Sequence, residues 1–294
     1  MSGSLSTVMF DVDILARSSI VHREDYTAAG TDTFALFRRE KIISAAGTDI
    51  LVPIVSGSSF RGVLRRIGEQ LTADILNYED CLPVPAAHLL SNGGRLAKSK
   101  NPLTDEQERR LKDLIPLIAV FGGAASGRIM SGSLTVGKVL PEIAELAHIL
   151  PRPPQGALHP AALTVAAEST SHLADHRIST SQPPQHDTDD KTSPLGRFAV
   201  ETLPAGTRLQ SWVRITDATA SQVGFLTDVL TYFAERGHLG GRIAAGHGRV
   251  TATITPTVLR GPQLPRSKSK TRAHWAAELT QRRQEALQAL TELS

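Results

Sequence analysis

The chain of 294 residues has a single cysteine, Cys81. One cysteine cannot form a disulfide within the chain, and it cannot supply the several thiolates of a cysteine-based zinc site. No apolar run approaches the roughly 20 residues needed to cross a bilayer. Residues 1–10 also lack the charged and apolar regions of a signal peptide. The sequence therefore predicts a cytoplasmic protein without membrane contact.

Aromatic residues are also scarce, with 8 Phe, 3 Tyr and 2 Trp. Most of them are needed for a core, which leaves few rings on which nucleic-acid bases could stack. The net charge is only +3, but the basic residues are 24 Arg and 8 Lys. Because the planar guanidinium group matches phosphate geometry, this bias favours contacts with a nucleic-acid backbone over ring stacking.

The apolar periodicity predicts an α+β fold. Alternating residues predict a first strand, and a helical period predicts a helix that begins near Ser59, with Ser58 or Ser59 as its N-cap. The predicted order is strand 5–15, a helix within 56–76 that begins near Ser59, strand 127–139, strand 202–215, helix 220–236 and strand 246–258. This βαββαβ order is typical of a ferredoxin-like (RRM-like) core, a fold that serves many functions.

The remaining segments predict insertions in this core. Residues 165–197 are polar and rich in proline, which predicts a protruding, partly flexible arm. We predict one core domain over 1–258, followed over 259–294 by a basic linker and a C-terminal helix. The apolar side of that helix, which includes Trp275 and Leu279, is expected to dock on its own core or on a neighbouring subunit.

Two motifs suggest phosphate binding. The first is SGSSFRGVLRR at 56–66, where a Gly/Ser loop leads into a helix and Arg61 and Arg65 lie one turn apart. The free N–H groups of a helix N-terminus bind phosphate oxygens, and the two arginines would extend that contact. The alternative is a capped amphipathic helix with solvated arginines.

The second motif is GHLGGRIAAGHGRV at 237–250, with five glycines, two histidines and the cations Arg242 and Arg249. Glycine lets a backbone approach a ligand closely, but the alternative is a plain glycine-rich turn. The predicted order around it excludes a dinucleotide-binding motif, because no helix follows. The basic stretch 260–272 is either a solvated linker or an RNA contact.

The sequence gives no catalytic or metal-binding signature. His172 and His176 lie four residues apart but among Pro and Ser and without HExxH spacing, and Asp187, Asp189 and Asp190 lack the pattern of a calcium loop. Nucleophile and nucleotide-binding motifs are also missing. We therefore predict neither a metal nor a cofactor.

Four segments together resemble the RAMP-superfamily backbone subunits of class 1 CRISPR complexes. They are VPIVSGSSFRGVLRR at 52–66, FGGAASGRIMSGSLTV at 121–136, ETLPAGTRL at 201–209 and GGRIAAGHGRV at 240–250, in the order found in that family. The resemblance spans about 200 residues and is closest to type IV and type III subunits, with type IV preferred.

The resemblance implies how this chain would contact guide RNA (crRNA). Ser58, Ser59, Arg61 and Arg65 would line the RNA groove, and the arm, including Arg177, would be the family's thumb, which wedges between bases. The glycine-rich loop would be formed by Gly240, Gly241, Arg242, Gly246 and Gly248, with Arg249 beside it.

The implied function is a non-catalytic subunit that binds the guide RNA backbone and polymerises head to tail. Its partners would be guide RNA, copies of itself, other CRISPR effector subunits and, through guide pairing, a DNA or RNA target. The alternative is an endoribonuclease. It would cut target RNA with a metal and an aspartate, for which Asp32 is preferred over Asp25 and Asp49, or process the guide precursor with His247.

Overall fold

The computed structural model describes residues 4–24, 34–78, 82–96, 99, 102–173, 195–262 and 274–293. These residues form a mixed α+β structure with antiparallel sheets. The described strands are β1 (Ser6–Ala16), β2 (Phe34–Ala35), β3 (Arg39–Ile43), β4 (Asp49–Pro53), β5 (Gly123–Ala125), β6 (Arg128–Met130), β7 (Leu134–Val136), β8 (Leu140–Pro141), β9 (Ala166–Leu173), β10 (Leu195–Thr202), β11 (Arg208–Ala218) and β12 (Val250–Arg260). The described α-helices are α1 (Gly57–Leu76), α2 (Val84–Ser91), α3 (Asp105–Leu114), α4 (Pro116–Phe121), α5 (Ala161–Thr164), α6 (Ala220–Arg236), α7 (His274–Gln281) and α8 (Arg283–Thr291).

The main sheet is built around β1. This strand pairs antiparallel with β11 on one side and with β12 on the other, and β7 and β8 both pair with β11. The side chains predicted to share one face of β1 are all at most 3% exposed, namely Val8, Phe10, Val12 and Ile14. The alternation in the sequence therefore predicted both the strand and its buried face.

Helices α1 and α6 supply most of the layer against this face. The rings of Phe60 in α1 and Phe233 in α6 lie 5.1 Å apart between centroids. The apolar stripe predicted for 220–236 is buried, and the Thr219 side chain caps the N-terminus of α6 together with Gln222. The bounds predicted for this helix are confirmed.

The N-cap prediction for α1 was wrong by two or three residues. Ser56 is the N-cap, and its side chain accepts a hydrogen bond from the Ser59 N–H at 3.2 Å. The helix then begins at Gly57, whose Cα lies so close to the carbonyl groups of Val136 and Gly137 that an added Cβ would be 3.3 Å from each oxygen. This close approach draws the first turn against the sheet.

The single strand predicted over 127–139 was also wrong. The segment forms β6, which pairs with β5, and β7, which joins the main sheet. Gly132 separates them, because its backbone passes the end of α4 so closely that an added Cβ would lie 2.4 Å from the Val120 carbonyl oxygen. Ile129 in β6 is 68% exposed, whereas Leu134 in β7 is buried.

The predicted arm 165–197 contains more regular structure than its composition suggested. β9 and β10 pair antiparallel from Ala166↔Thr202 to Leu173↔Leu195, and β2 adds to β10 in parallel. The Glu201 carboxylate in β10 accepts hydrogen bonds from the Phe37 N–H at 2.8 Å and from Arg39 at 3.1 Å. Ladder bonds and this ion pair therefore fix the base of the arm without a large apolar core, while residues 174–194 lie outside the described part.

The C-terminal segment forms two helices, α7 and α8, where one was predicted, with the break at Arg282. Both dock on the chain's own core. The Trp275 ring lies 5.0 Å from that of Phe225, and its Nε1–H donates to Asp228 Oδ2 at 2.8 Å. The domain boundary predicted at 258 falls within β12, and most of the predicted linker, 263–273, lies outside the described residues, so the division into two parts stays a prediction.

None of the helices within the described ranges is long and apolar enough to span a membrane. The cytoplasmic location stays a prediction.

Candidate nucleic-acid interface

The two motifs predicted to bind phosphate lie on either side of one short segment, residues 18–24. The Ser56 N–H, at the start of α1, donates to His22 Nε2 at 3.2 Å. One residue earlier, the Val21 carbonyl accepts from the Gly241 N–H at 2.7 Å. The chain therefore brings the N-terminus of α1 and the glycine-rich loop together across about 180 residues of sequence.

The N-terminus of α1 is open to solvent at Ser58, and Ser59 is half-buried. The Ser56 side chain satisfies only the Ser59 N–H, and the Ser58 hydroxyl lies 3.1 Å from the Ser56 hydroxyl. A 20-residue helix carries a partial positive charge at this end. The geometry thus presents hydroxyl groups, amide groups and positive potential at one exposed point.

Arg61 is half-buried and faces the end of α4. Its Nη2–H donates to the Phe121 carbonyl oxygen at 2.7 Å, and its guanidinium lies 5.8 Å from the centre of the Phe121 ring. Burial lowers the pKa of Arg61. Part of its donor capacity remains for a ligand, because the hydrogen bond to Phe121 uses one of five N–H groups.

Arg65 is only 6% exposed. Its Nη2–H groups donate to the carbonyl oxygens of Leu89 at 2.7 Å and Gly122 at 2.9 Å. Burial, and after it the charge of Arg61, lower the pKa of Arg65 to about 10. The resemblance implied that Arg65 lines the RNA groove, but in the isolated chain its guanidinium joins α1 to α2 and to the turn after α4, away from solvent.

Two glycines hold the glycine-rich loop in its path. Gly240 and Gly248 have positive φ values of 77° and 80°. An added Cβ would lie 2.0 Å from the Val21 carbonyl oxygen at Gly240, and 2.2 Å from that of Leu239 at Gly248. No other residue fits these positions without moving the backbone.

The tip of the loop is solvent-exposed. Gly241 and Gly246 have open space where a Cβ would stand, and Arg242 is exposed in the left-handed conformation with φ of 55°. Arg249 is exposed too, and its backbone N–H donates to the Ser18 hydroxyl at 3.0 Å. The loop therefore offers two guanidinium groups with closely accessible backbone between them.

His247, the alternative catalytic candidate, is 8% exposed. Its Nδ1 lies 3.0 Å from the Ser19 hydroxyl and 3.8 Å from Glu168 Oε2 in the base of the arm. Hydrogen bonds from Ser19 and Thr202, together with His247, lower the pKa of Glu168 despite its partial burial. This arrangement uses His247 to join the glycine-rich loop to the arm.

Two further candidate residues predicted from the sequence lie in segments that the structure does not describe. Asp32, the preferred aspartate, and Arg177 in the arm lie outside the described residues. Across the ranges that the structure does describe, no group of three His, Cys, Asp or Glu side chains is arranged to hold a metal ion.

Sequence reasoning missed the segment that organises the interface. The elements predicted from the sequence leave residues 18–47 unassigned, yet His22 contacts Ser56, and the neighbouring Arg23 is exposed beside Phe37 in an isolated bridge. Arg38 is half-buried next to it, and its N–H donates to the His22 carbonyl at 2.7 Å. The available signal was a pair of short apolar runs, Ile20–Val21 and Phe34–Phe37, each followed directly by two basic residues.

Comparison with known proteins agrees with the four motifs. The model of the RAMP superfamily matches residues 27–251, which is more than half of the chain. A solved structure described as "Type IV-B CRISPR Complex" contains a chain that is 53% identical, with a TM-score of 0.63, over 88% of this chain and 95% of that one. Comparison with curated proteins gives no match. The resemblance drawn from the motifs is thus confirmed, and the chain belongs to the RAMP superfamily.

Proposed function

We propose that the chain is a non-catalytic backbone subunit of a type IV CRISPR ribonucleoprotein complex and that it binds guide RNA by its sugar-phosphate backbone. The observation that supports the proposal is a pair of hydrogen bonds to neighbouring residues, from the Ser56 N–H to His22 and from the Gly241 N–H to Val21. They set the N-terminus of α1 beside the glycine-rich loop, so that hydroxyl groups, amide groups and arginines form one surface.

The arrangement of the main sheet supports a ferredoxin-like core for this subunit. In chain order the core elements are β1, α1, β7 with β8, β11, α6 and β12, and the sheet order is β12-β1-β11-β7. This is a split βαβ arrangement in which both helices follow a strand of the same sheet. The fold itself does not decide the function, which rests on the surface described above.

Assembly with other chains follows from the similarity to a subunit of a type IV-B CRISPR complex. We propose that copies of this chain associate head to tail along the guide RNA, together with other effector subunits. A heterologous contact of this kind forms an open filament when its rotation does not close. The target, DNA or RNA, would then be read by pairing with the guide and not by side chains of this subunit.

The contacts of His247 favour a non-catalytic role. A general acid or base must come within hydrogen-bonding reach of the RNA. The His247 ring is instead almost fully buried, and its Nδ1 is occupied by Ser19. Its position therefore supports a structural link over catalysis.

Co-purification tests the RNA-binding proposal. The chain is expressed with its neighbouring genes, and the RNA that travels with the particle is sequenced. We expect RNA of uniform length with repeat-derived ends on a large particle, bound with a steep salt dependence because many phosphates are contacted. A monomer free of RNA, or binding that ignores salt, would contradict the proposal.

The same particle tests the absence of catalysis. We expect complementary labelled RNA to stay intact with and without divalent metal. Metal-dependent cutting that is lost in Asp32→Ala, or metal-independent cutting lost in His247→Ala, would assign nuclease activity to this subunit instead.

A further inference from the structure

A second polar groove lies on the outer face of the main sheet, opposite α1 and α6. It has a volume of about 330 Å³ and lies where the end of β1 meets the beginnings of β11 and β12. Its lining includes Arg17, Arg208, Thr251, Thr253 and Gln155. Because alternate residues of a strand face opposite sides, this face is separate from the buried one that carries Val12 and Ile14.

The carboxylates near the groove are already engaged. Asp13 and Asp11 accept hydrogen bonds from Arg152 at 2.6 Å and 2.8 Å, so their charges are largely balanced. Glu142 accepts from the Gln210 side chain at 2.8 Å and from the Gln155 N–H at 3.0 Å. Glu142 is thus the one groove carboxylate without a cationic partner in the described part of the chain.

The arginines of the groove are not engaged in this way. Arg17 donates from Nε to the Thr251 hydroxyl at 3.1 Å, and Arg208 donates from Nη1 to the Gln155 side chain at 3.1 Å. Among the described residues neither forms an ion pair, and both are exposed. Each keeps several N–H groups that point to no carboxylate.

The groove is continuous with the glycine-rich loop. The Arg17 N–H donates to the Arg249 carbonyl at 2.7 Å, and Arg249 is the last residue before β12. By strand alternation Arg249 lies on the same face as Thr251 and Thr253. Arg17 and Arg249 are therefore joined through their backbones at this end of the sheet, and Arg208 on β11 pairs with Leu15, two residues before Arg17.

We propose that this groove binds a phosphodiester group of a single nucleic-acid strand. The groove has two exposed arginines and two threonines, and its two carboxylates are Asp13, which is paired with Arg152, and Glu142, which has no cationic partner among the described residues. This balance favours a phosphate over a carboxylate-bearing or cationic ligand. The volume suits about one nucleotide, at the low end of ligand sites. Phosphate binding in the groove is inferred from the groove's own residues. That the bound strand is part of the guide RNA path rests on the proposed function.

Photocrosslinking distinguishes the two sites. p-Benzoylphenylalanine is placed at Thr253 in the groove, at Ser58 on α1 or, as a control, at exposed Leu163, and the RNA-loaded full-length particle is irradiated. We expect RNA adducts at 253 and 58 but not at 163. RNA adducts at 58 alone, or protein adducts at 253, would contradict nucleic-acid binding in the groove but would still support RNA binding at the N-terminus of α1. Adducts at 253 alone would support the groove and reject the α1 surface, and adducts at neither would reject both.

A charge-matched pair of variants gives a second readout. Arg17→Ala/Arg208→Ala is compared with Arg109→Ala/Arg110→Ala on α3, which removes the same charge elsewhere. We expect the groove variant to lower the slope of log affinity against log salt by about 1.4, since each lost contact with a single strand removes about 0.7. Equal slopes of log affinity against log salt in the two variants, at unchanged melting temperature, would contradict the proposal that the groove binds a phosphate.

Discussion

The guanidinium group of Arg65 lies 2.7 Å from the carbonyl oxygen of Leu89, at the end of α2. With the bond to Gly122, this contact holds three parts of the helical layer together. We expect Arg65→Ala to lower the free energy of unfolding by about 2–4 kcal/mol, because it leaves buried carbonyl groups unpaired and opens a cavity.

Arg66→Ala is the matched control for this prediction, because Arg66 is the next residue and is exposed. It should change stability by less than about 0.5 kcal/mol. Urea unfolding of both variants measures the difference. Similar midpoints would mean that the Arg65 contacts contribute little.

Ser56 and Ser58 differ in what they do at the start of α1. Ser56→Ala removes the N-cap bond to Ser59 and should destabilise the chain by about 1 kcal/mol. Ser58→Ala, at an exposed position, should leave the melting temperature unchanged but weaken RNA binding. Thermal unfolding and RNA titration of both variants check this, and a reversed pattern would restore Ser58 as the cap.

Gly248 and Gly241 provide a similar comparison within the glycine-rich loop. Gly248→Ala adds a Cβ at positive φ and 2.2 Å from the Leu239 carbonyl, so it should cost about 2 kcal/mol or more. Gly241→Ala meets open space and should be tolerated. Chemical denaturation of the two variants would show this, and equal stability would mean that the loop adapts freely.

Asp228 predicts a pH dependence of stability. Burial raises the pKa of its carboxyl group, although the hydrogen bond from Trp275 acts in the other direction. With a raised pKa, the folded state binds the proton more tightly than the unfolded chain does. The stability contributed by this proton is complete below the ordinary carboxyl pKa of 3.8 and is lost as pH rises through the folded-state pKa.

Asp228→Asn cannot ionise, so it should remove the loss of stability that accompanies ionisation of Asp228, and its side-chain oxygen still accepts a hydrogen bond from Trp275. We expect the variant to match the wild type in strong acid and to equal or exceed it in melting temperature at neutral pH. A variant that is less stable than the wild type only at neutral pH would show that the ionised form is the favourable one.

Residue patterns predicted much of this structure because the main elements are periodic. The buried face of β1 and the stripe of α6 follow directly from side-chain alternation and helical spacing. The same spacing placed Arg61 and Arg65 on one helix face. It could not tell that Phe121 and Leu89, from segments far along the chain, would supply acceptors for both guanidinium groups.

Other errors have similar causes. Three serines near the start of α1 are all good N-caps, and the choice of Ser56 depends on how Gly57 packs against Gly137. The break at Gly132 depends on the close passage of α4. Both are tertiary contacts between residues distant in sequence, which local pattern does not record.

The pairing of β1 sets a condition on synthesis. Its partners β11 and β12 begin about 190 and 230 residues after it ends, and the glycine-rich loop rests on the residues that follow β1. During synthesis, both edges of this apolar strand stay unpaired until nearly the whole chain has emerged from the ribosome. Unpaired strand edges favour aggregation. An incomplete chain cannot assemble the loop, so the proposed RNA-binding surface forms only after translation has reached β12.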